Sequence, residues 1–196
     1  NTKFNGGRGG CEYFPEDKNY IYEMAQWFPR LCVYDDVDGW QHKQYLGTGE
    51  FALEFGDYKV SITVPADHIV ASTGVLQNAS QVLSPLQLSR FNAAKTAKEP
   101  MLIVTPAEAL KNESSSTTKT KTWIFEAENV RDFAWASSRK FIWDAMGVSV
   151  GKNKIMAMSY YPKEGNPLWE KYSTHAIAHT LSVYSRYTVE YAYPVA

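Results

Sequence analysis

Between Lys121 and Val148 the chain reads KTWIFEAENVRDFAWASSRKFIWDAMGV, which holds three of its six tryptophans, Trp123, Trp135 and Trp143, together with Phe125, Phe133 and Phe141. No other window of this length carries as much apolar area, so the segment is expected at the centre of the core. The aromatic residues come in pairs two apart (Trp123 and Phe125, Phe133 and Trp135, Phe141 and Trp143), the period of strands with one buried face. The spacing predicts strands over about 121–145, with Ser137-Ser138-Arg139-Lys140 as a turn. Arg131 and Asp132 lie inside this aromatic run, where a charged pair has to be exposed at a bend or paired. A structural ion pair is the expectation.

With 196 residues, 44% hydrophobic and 14% aromatic, the chain has ample material for a packed core. A formal net charge of −1 and a pI near 6.5 remove the electrostatic case for nucleic acid, whose phosphates call for a basic patch. The single GGRGG at Gly6 to Gly10 reads as a flexible lead-in over residues 1–10, not as an RNA-binding segment. No apolar run approaches the roughly 18 residues of a membrane span. The start at Asn1 is expected to mark a processed protein or an excised fragment. Cys11 and Cys32 are too few for a disulfide framework or a thiolate metal site.

Tyr20 to Tyr34 predicts two short strands around Pro29, and Asp38-Gly39 a turn. That acidic loop is not a calcium loop. With Gly39 as the sixth position, Tyr34 and Tyr45 fall where carboxylates are required. Gly49 to Val64 predicts a hairpin with its turn at Gly56-Asp57, His68 to Leu76 a strand, Pro100 to Thr105 another and Lys154 to Tyr161 a last one. Gln77 to Glu99 is mixed in pattern, and the polar Glu108 to Thr122 is expected as an exposed loop. Asn78 and Asn112 match the glycan acceptor pattern. A helix is predicted from Asn166-Pro167, with Leu168, Trp169, Tyr172, Ala176, Val183 and Tyr187 on one face.

On that helix His175 and His179 have the i, i+4 spacing of zinc ligands. The general-base glutamate that should follow the first histidine is Ala176, and no third ligand follows, so two helix-surface histidines are the better account. No metal-ligating or catalytic residue is expected in this chain. Neither cysteine has a neighbouring histidine in sequence, and there is no nucleophile elbow or phosphate loop.

Ala25 to Arg30 (AQWFPR), Tyr34-Asp35-Asp36, Gly39-Trp40-Gln41, Gly49-Glu50-Phe51, Val64 to His68 and Glu128 to Trp135 (ENVRDFAW) together resemble the amino-terminal domain of the aminopeptidase N type of zinc metallopeptidase, in its exported bacterial branch. The resemblance covers about residues 10–196. It implies a mainly β fold, a saddle-shaped β-sandwich over 11–165, with one C-terminal helix that leads toward a catalytic domain, residues 166–196 being the linker helix and the start of that domain. That domain carries the family's G-x-M-E-N and H-E-x-x-H motifs, neither of which is in this chain. Zinc is therefore expected only in a full-length parent, and this chain alone is expected to be inactive. The resemblance also implies an exported or periplasmic setting, and it makes Gln26 the match to a glutamine that contacts the amino end of the peptide substrate. An amide suits that contact because it accepts from an ammonium group. A strand glutamine bonded to backbone is the structural alternative for Gln26.

Two other classes stay open. One is an extracellular β-sandwich binding module for carbohydrate, stacking sugars on its aromatic residues, and the other a module that docks a partner protein. Expected partners are peptide substrate and catalytic domain within the parent, with self-association through the C-terminal helix in their absence.

Overall fold

The structure is a computed structural model that describes residues 10–44, 47 and 51–196. The lead-in of residues 1–9, and Gly49-Glu50 of the predicted hairpin, lie outside the described residues. The strands are β1 (Cys11–Phe14), β2 (Asn19–Met24), β3 (Tyr34–Asp35), β4 (Gly39–Trp40), β5 (Gly56–Pro65), β6 (Ile69–Ser72), β7 (Val75–Leu76), β8 (Met101–Val104), β9 (Thr120–Val130), β10 (Trp135–Ser138), β11 (Ile142–Val150) and β12 (Asn153–Tyr161). Four helices accompany them, α1 (Ala79–Val82), α2 (Pro85–Ala94), α3 (Pro106–Glu113) and α4 (Leu168–Tyr187), with a 3-10 turn at Lys163–Gly165. The fold is mainly β. Its antiparallel sheets have the orders β1-β2-β10-β6, β5-β9-β7, β12-β11-β8 and β3-β4.

The aromatic stretch is the centre of this arrangement because it supplies a strand to each of the three larger sheets. β9 is the middle strand of its sheet, β10 lies between β2 and β6, and β11 lies between β12 and β8. Trp123, Phe133 and Trp143 are 0%, 0% and 1% exposed and join one hydrophobic cluster with Ile21, Ile62, Val70 and Ile103. Each such side chain contributes about 1.5–3 kcal/mol by burial. Ser137 and Ser138 are strand residues, 1% and 0% exposed, so the predicted turn is instead a crossing between two sheets at 139–141.

The predicted hairpin over 49–64 is also corrected. Residues 51–55 form no strand, with only Leu53 bridging Cys32, and β5 pairs antiparallel with β9 (Ile62 opposite Trp123, Val60 opposite Phe125). Local alternation marked the strand rightly, but the partner that buries its face comes 55 residues later than its own end. The strand predicted over 68–76 divides at Gly74, with β6 in one sheet and β7 in another. Gly74 has φ +88, and a Cβ there would fall inside the van der Waals radius of the Glu126 carbonyl, so only glycine turns this corner. In the Tyr20 to Tyr34 region β2 is found, but residues 25–33 are irregular instead of forming a second strand.

Two segments read as mixed or loop are helical. α2 begins with a capping box between Ser84 and Gln87, and α3 with one between Thr105 and Glu108, each with proline at the first position. Asn78, a glycan-pattern residue, is 9% exposed and its amide is engaged by Thr122, Gln81 and Ile124, tying α1 to β9.

α4 runs where predicted, but Pro167 rather than Asn166 is its cap. Its buried stripe is Thr174, Ile177, Ala178 and Leu181, packed on Met146, Val148, Val150, Ile155 and Ala157 of β11 and β12. The predicted face is the opposite one. Trp169, Tyr172 and Tyr187 are 46%, 52% and 75% exposed. The helix therefore has an apolar face toward the sheet and an aromatic one toward solvent. Beyond it, residues 194–196 run parallel to β12, with Met156 N donating to Pro194 O (2.9 Å), Ala196 N to Met156 O (3.0 Å) and Met158 N to Ala196 O (2.8 Å). β12, α4 and this returning segment, joined to β12 by the one parallel bridge Met156–Val195, have the connectivity of a βαβ crossover on an otherwise antiparallel sheet. Among the described residues no helix is long and apolar enough to cross a membrane.

Candidate functional site

The AQWFPR segment, Ala25 to Arg30, leaves β2 and bends at Gln26, whose φ is +54. That left-handed conformation costs a non-glycine residue about 1–2 kcal/mol and persists because the residues beyond it are pinned. Trp27 Nε1 donates to the Phe133 carbonyl at 2.9 Å, and Arg30 Nη1 meets Asp132 Oδ2 at 2.6 Å. Phe28 packs edge-on against Tyr58 at 5.7 Å, and Tyr58 against Phe133 at 5.8 Å. Asp132 also accepts from its neighbour Phe133 N, which sets the bend after β9. Two segments about a hundred residues apart thus form one unit, with Arg131 turned over the ring of Phe55 (5.6 Å). Asp132 of the Arg131-Asp132 pair is thus in a structural ion pair with Arg30, whereas Arg131 has no ion pair among the described residues. Gln26 is exposed on a bend and lies on no strand. Among the described residues its amide has no hydrogen-bond partner.

A cleft opens between the β5-β9-β7 and β12-β11-β8 sheets. Its mouth, about 1010 Å³, is rimmed by Glu126, Glu128, Asn129 and Arg131 and by Tyr191 and Tyr193, whose hydroxyl donates to Asn129 O at 2.8 Å. Its deep end, about 290 Å³, is apolar, and the two share Gly74, Met158, Tyr160 and Val195. Gln26 lines neither part.

The buried lysine, carboxylates and histidine lie outside this cleft, whereas the Tyr160 phenol, whose pKa burial raises, lines it. Lys140, fully buried, is held by Asp17, by Glu164 (2.9 Å) and by Glu113 (3.3 Å), and its ammonium sits 4.5 Å over the Phe14 ring. Burial would lower its pKa, but the three carboxylates hold it well above the usual lysine value. Lys163 pairs with Glu113 on the same cluster. Asp144, 2% exposed, accepts from Tyr161 (2.5 Å) and from Thr174, which fastens α4 to the sheet. Burial raises its pKa. His68 Nδ1 lies 3.2 Å from Ser137 Oγ, but the two are 4% and 1% exposed, which leaves no room for a substrate. Burial, reinforced by Arg139, pulls the His68 pKa down to about 4. Asp67 pairs with Arg139 at 3.0 Å beside it.

Neither candidate metal arrangement fits zinc. His175 and His179 are both exposed on α4, and His175 Nε2 lies 3.6 Å from a Glu99 carboxylate oxygen, a side-chain contact and not a ligand set. Among the described residues one group of three acidic side chains, Asp17, Glu113 and Glu164, brings its oxygens within 4.8 Å. The ammonium groups of Lys140 and Lys163 already occupy it, and zinc favours nitrogen and sulfur donors. Cys11 and Cys32 are free thiols.

Sequence reasoning placed Lys140 in a turn and did not single it out. The available signal was a lysine inside the most apolar stretch of the chain, but its partners come from three distant segments. No family model, no curated protein and no solved structure matches the chain.

Proposed function

We propose that this chain is the non-catalytic amino-terminal domain of a zinc-dependent, aminopeptidase-like metallopeptidase, a saddle-shaped β-sandwich that forms part of the cleft for the peptide substrate. The observation that carries the reading is the joining of AQWFPR to ENVRDFAW by the Trp27–Phe133 and Arg30–Asp132 bonds. These strings carry the family resemblance, and their contact leaves the amide of Gln26 free to accept from a substrate ammonium group. The exposed aromatic face of α4 and the βαβ crossover after it suit a chain that continues into a second domain with a mixed sheet. The zinc of that domain would be held by residues outside this chain.

The test is hydrolysis of alanine 4-nitroanilide by the isolated chain and by the whole polypeptide that carries it. The reading expects no turnover by the chain and chelator-sensitive turnover by the polypeptide. A polypeptide without H-E-x-x-H, or without aminopeptidase activity, overturns it. One observation favours a second reading, a carbohydrate-binding module. Tyr13, Tyr20, Tyr22 and His68 form a continuous ring stack (4.7, 5.7 and 6.2 Å) with Tyr13 and Tyr20 44% and 39% exposed. Saturable oligosaccharide binding lost on Tyr20→Ala would favour that reading.

A further inference from the structure

The deep end of the cleft is walled by Phe91 of α2, Phe125 of β9, Trp143 of β11 and Met156, Met158 and Tyr160 of β12. Two polar groups in this wall are poorly matched. Among the described residues the indole N–H of Trp143, a residue 1% exposed, has no hydrogen-bond partner, and the Tyr160 hydroxyl has only the Met158 sulfur, at 3.6 Å. Buried donors in native proteins almost always have an acceptor, so one left open beside a cavity points to an acceptor that arrives with a ligand. No carboxylate lines this end, whereas Lys95 does. Its Nζ stands 4.9 Å over the Phe91 ring, whose centroid is 5.4 Å from that of Trp143, which in turn stacks on Tyr160 at 4.9 Å. Among the described residues Lys95 has no carboxylate partner and donates only to Asn92 Oδ1. A cation without a counter-ion thus sits beside the ring stack that carries both donors.

We propose that this cavity binds a small monocarboxylic acid with an apolar body. The carboxylate accepts from the Trp143 N–H and pairs with Lys95, and the body lies against Phe125, Met156 and Met158. An apolar cavity of about 150 Å³ holds benzene, so one of about 290 Å³ has room for roughly a dozen heavy atoms. Decanoate is of that size. Glu126 and Glu128 at the mouth disfavour anions of higher charge. The inference does not depend on the peptidase reading, since it uses no residue of the Gln26 unit.

The test is isothermal titration of the chain with sodium decanoate below its micellar concentration, with 1-decanol as the uncharged comparator. The expected result is one site with a Kd in the tens of micromolar, at least tenfold weaker for decanol. Trp143→Phe keeps the ring and removes the N–H, and Lys95→Gln keeps the stem and removes the charge. Each is expected to weaken decanoate binding at least fivefold, and Lys171→Gln, a surface change on α4, to leave it unaltered. Lys95 is exposed, so its variant remains informative if Trp143→Phe does not fold. Absence of binding at millimolar decanoate, or binding at several sites indifferent to both substitutions, overturns the proposal.

Discussion

Replacing Lys140 by methionine removes one charge while keeping most of the side-chain volume, and the cluster around it sets the size of the effect. Three carboxylates, from Asp17, Glu113 and Glu164, would remain within 4.8 Å of one another, with Lys163 as their one close cation among the described residues. Two unit charges at that separation repel by about 3–4 kcal/mol at an effective dielectric of about 20, and breaking a buried ion pair costs about 3–5 kcal/mol. For a chain of 196 residues that corresponds to a fall in melting temperature of roughly 10 °C. The pH dependence adds a second signature. In the native protein burial would raise the Asp17 pKa, but the Lys140 contact outweighs it and the pKa is lowered, so this stabilisation is present at neutral pH and lost as pH falls through the folded value. In Lys140→Met that cation is gone, burial is left to raise the Asp17 pKa, and the folded state takes up protons more readily at this group than it does in the native protein. The deficit should therefore shrink between pH 7.5 and pH 5. Differential scanning calorimetry and urea unfolding at the two pH values measure it. A deficit under 1 kcal/mol at pH 7.5, or one independent of pH, would refute the reasoning.

Burial holds His68 near pKa 4 against 6.5 when unfolded, so the unfolded state binds more protons between these values and stability falls by up to about 3 kcal/mol as pH drops from 6.5 to 4. Urea unfolding of His68→Gln should lack that part of the pH profile, with the opposing Asp67–Arg139 pair left intact. Gly74→Ala places a Cβ against the Glu126 carbonyl at φ +88 and should cost more than 2 kcal/mol in thermal unfolding, roughly what a strained or overpacked site costs. The exposed Trp169, Tyr172 and Tyr187 face should make the isolated chain self-associate in light scattering, and Tyr187→Ser should reduce this. A strictly monomeric chain at high concentration would count against a role for that face in contact with another domain.

Much of the strand content was legible because aromatic and β-branched alternation is a local property. β9, β11 and β12 fall within a few residues of where the period-two pattern puts them. Pairing was not legible. β5 has an adjacent candidate partner in sequence, yet it pairs with β9, because what selects a partner is the face that both bury in the assembled core. Of the three missed helices, α2 and α3 were readable in principle, since Ser84-Pro85-Leu86-Gln87 and Thr105-Pro106-Ala107-Glu108 are both capping boxes with proline at the first helical position. Their weak amphipathicity hid them behind that signal. For α4 the periodicity was real but double. The larger aromatic residues drew attention to one face, while the smaller Thr174, Ile177, Ala178 and Leu181 are what the sheet covers. At the candidate site, Gln26 and the Arg131-Asp132 bend were named from sequence, but the bonds that join their segments, and the Lys140 cluster, arise between residues too distant for any window to connect.

The most direct test of the proposed role is the steady-state kinetics of the polypeptide proposed to carry this chain ahead of an H-E-x-x-H domain, with Gln26→Ala as the only change. If Gln26 accepts from the substrate ammonium group, its loss removes a charge-assisted hydrogen bond of about 1.5–3 kcal/mol. The account then predicts a fall of about 10- to 100-fold in kcat/KM for alanine 4-nitroanilide, with melting temperature and zinc content unchanged. A variant as active as the parent polypeptide would contradict it.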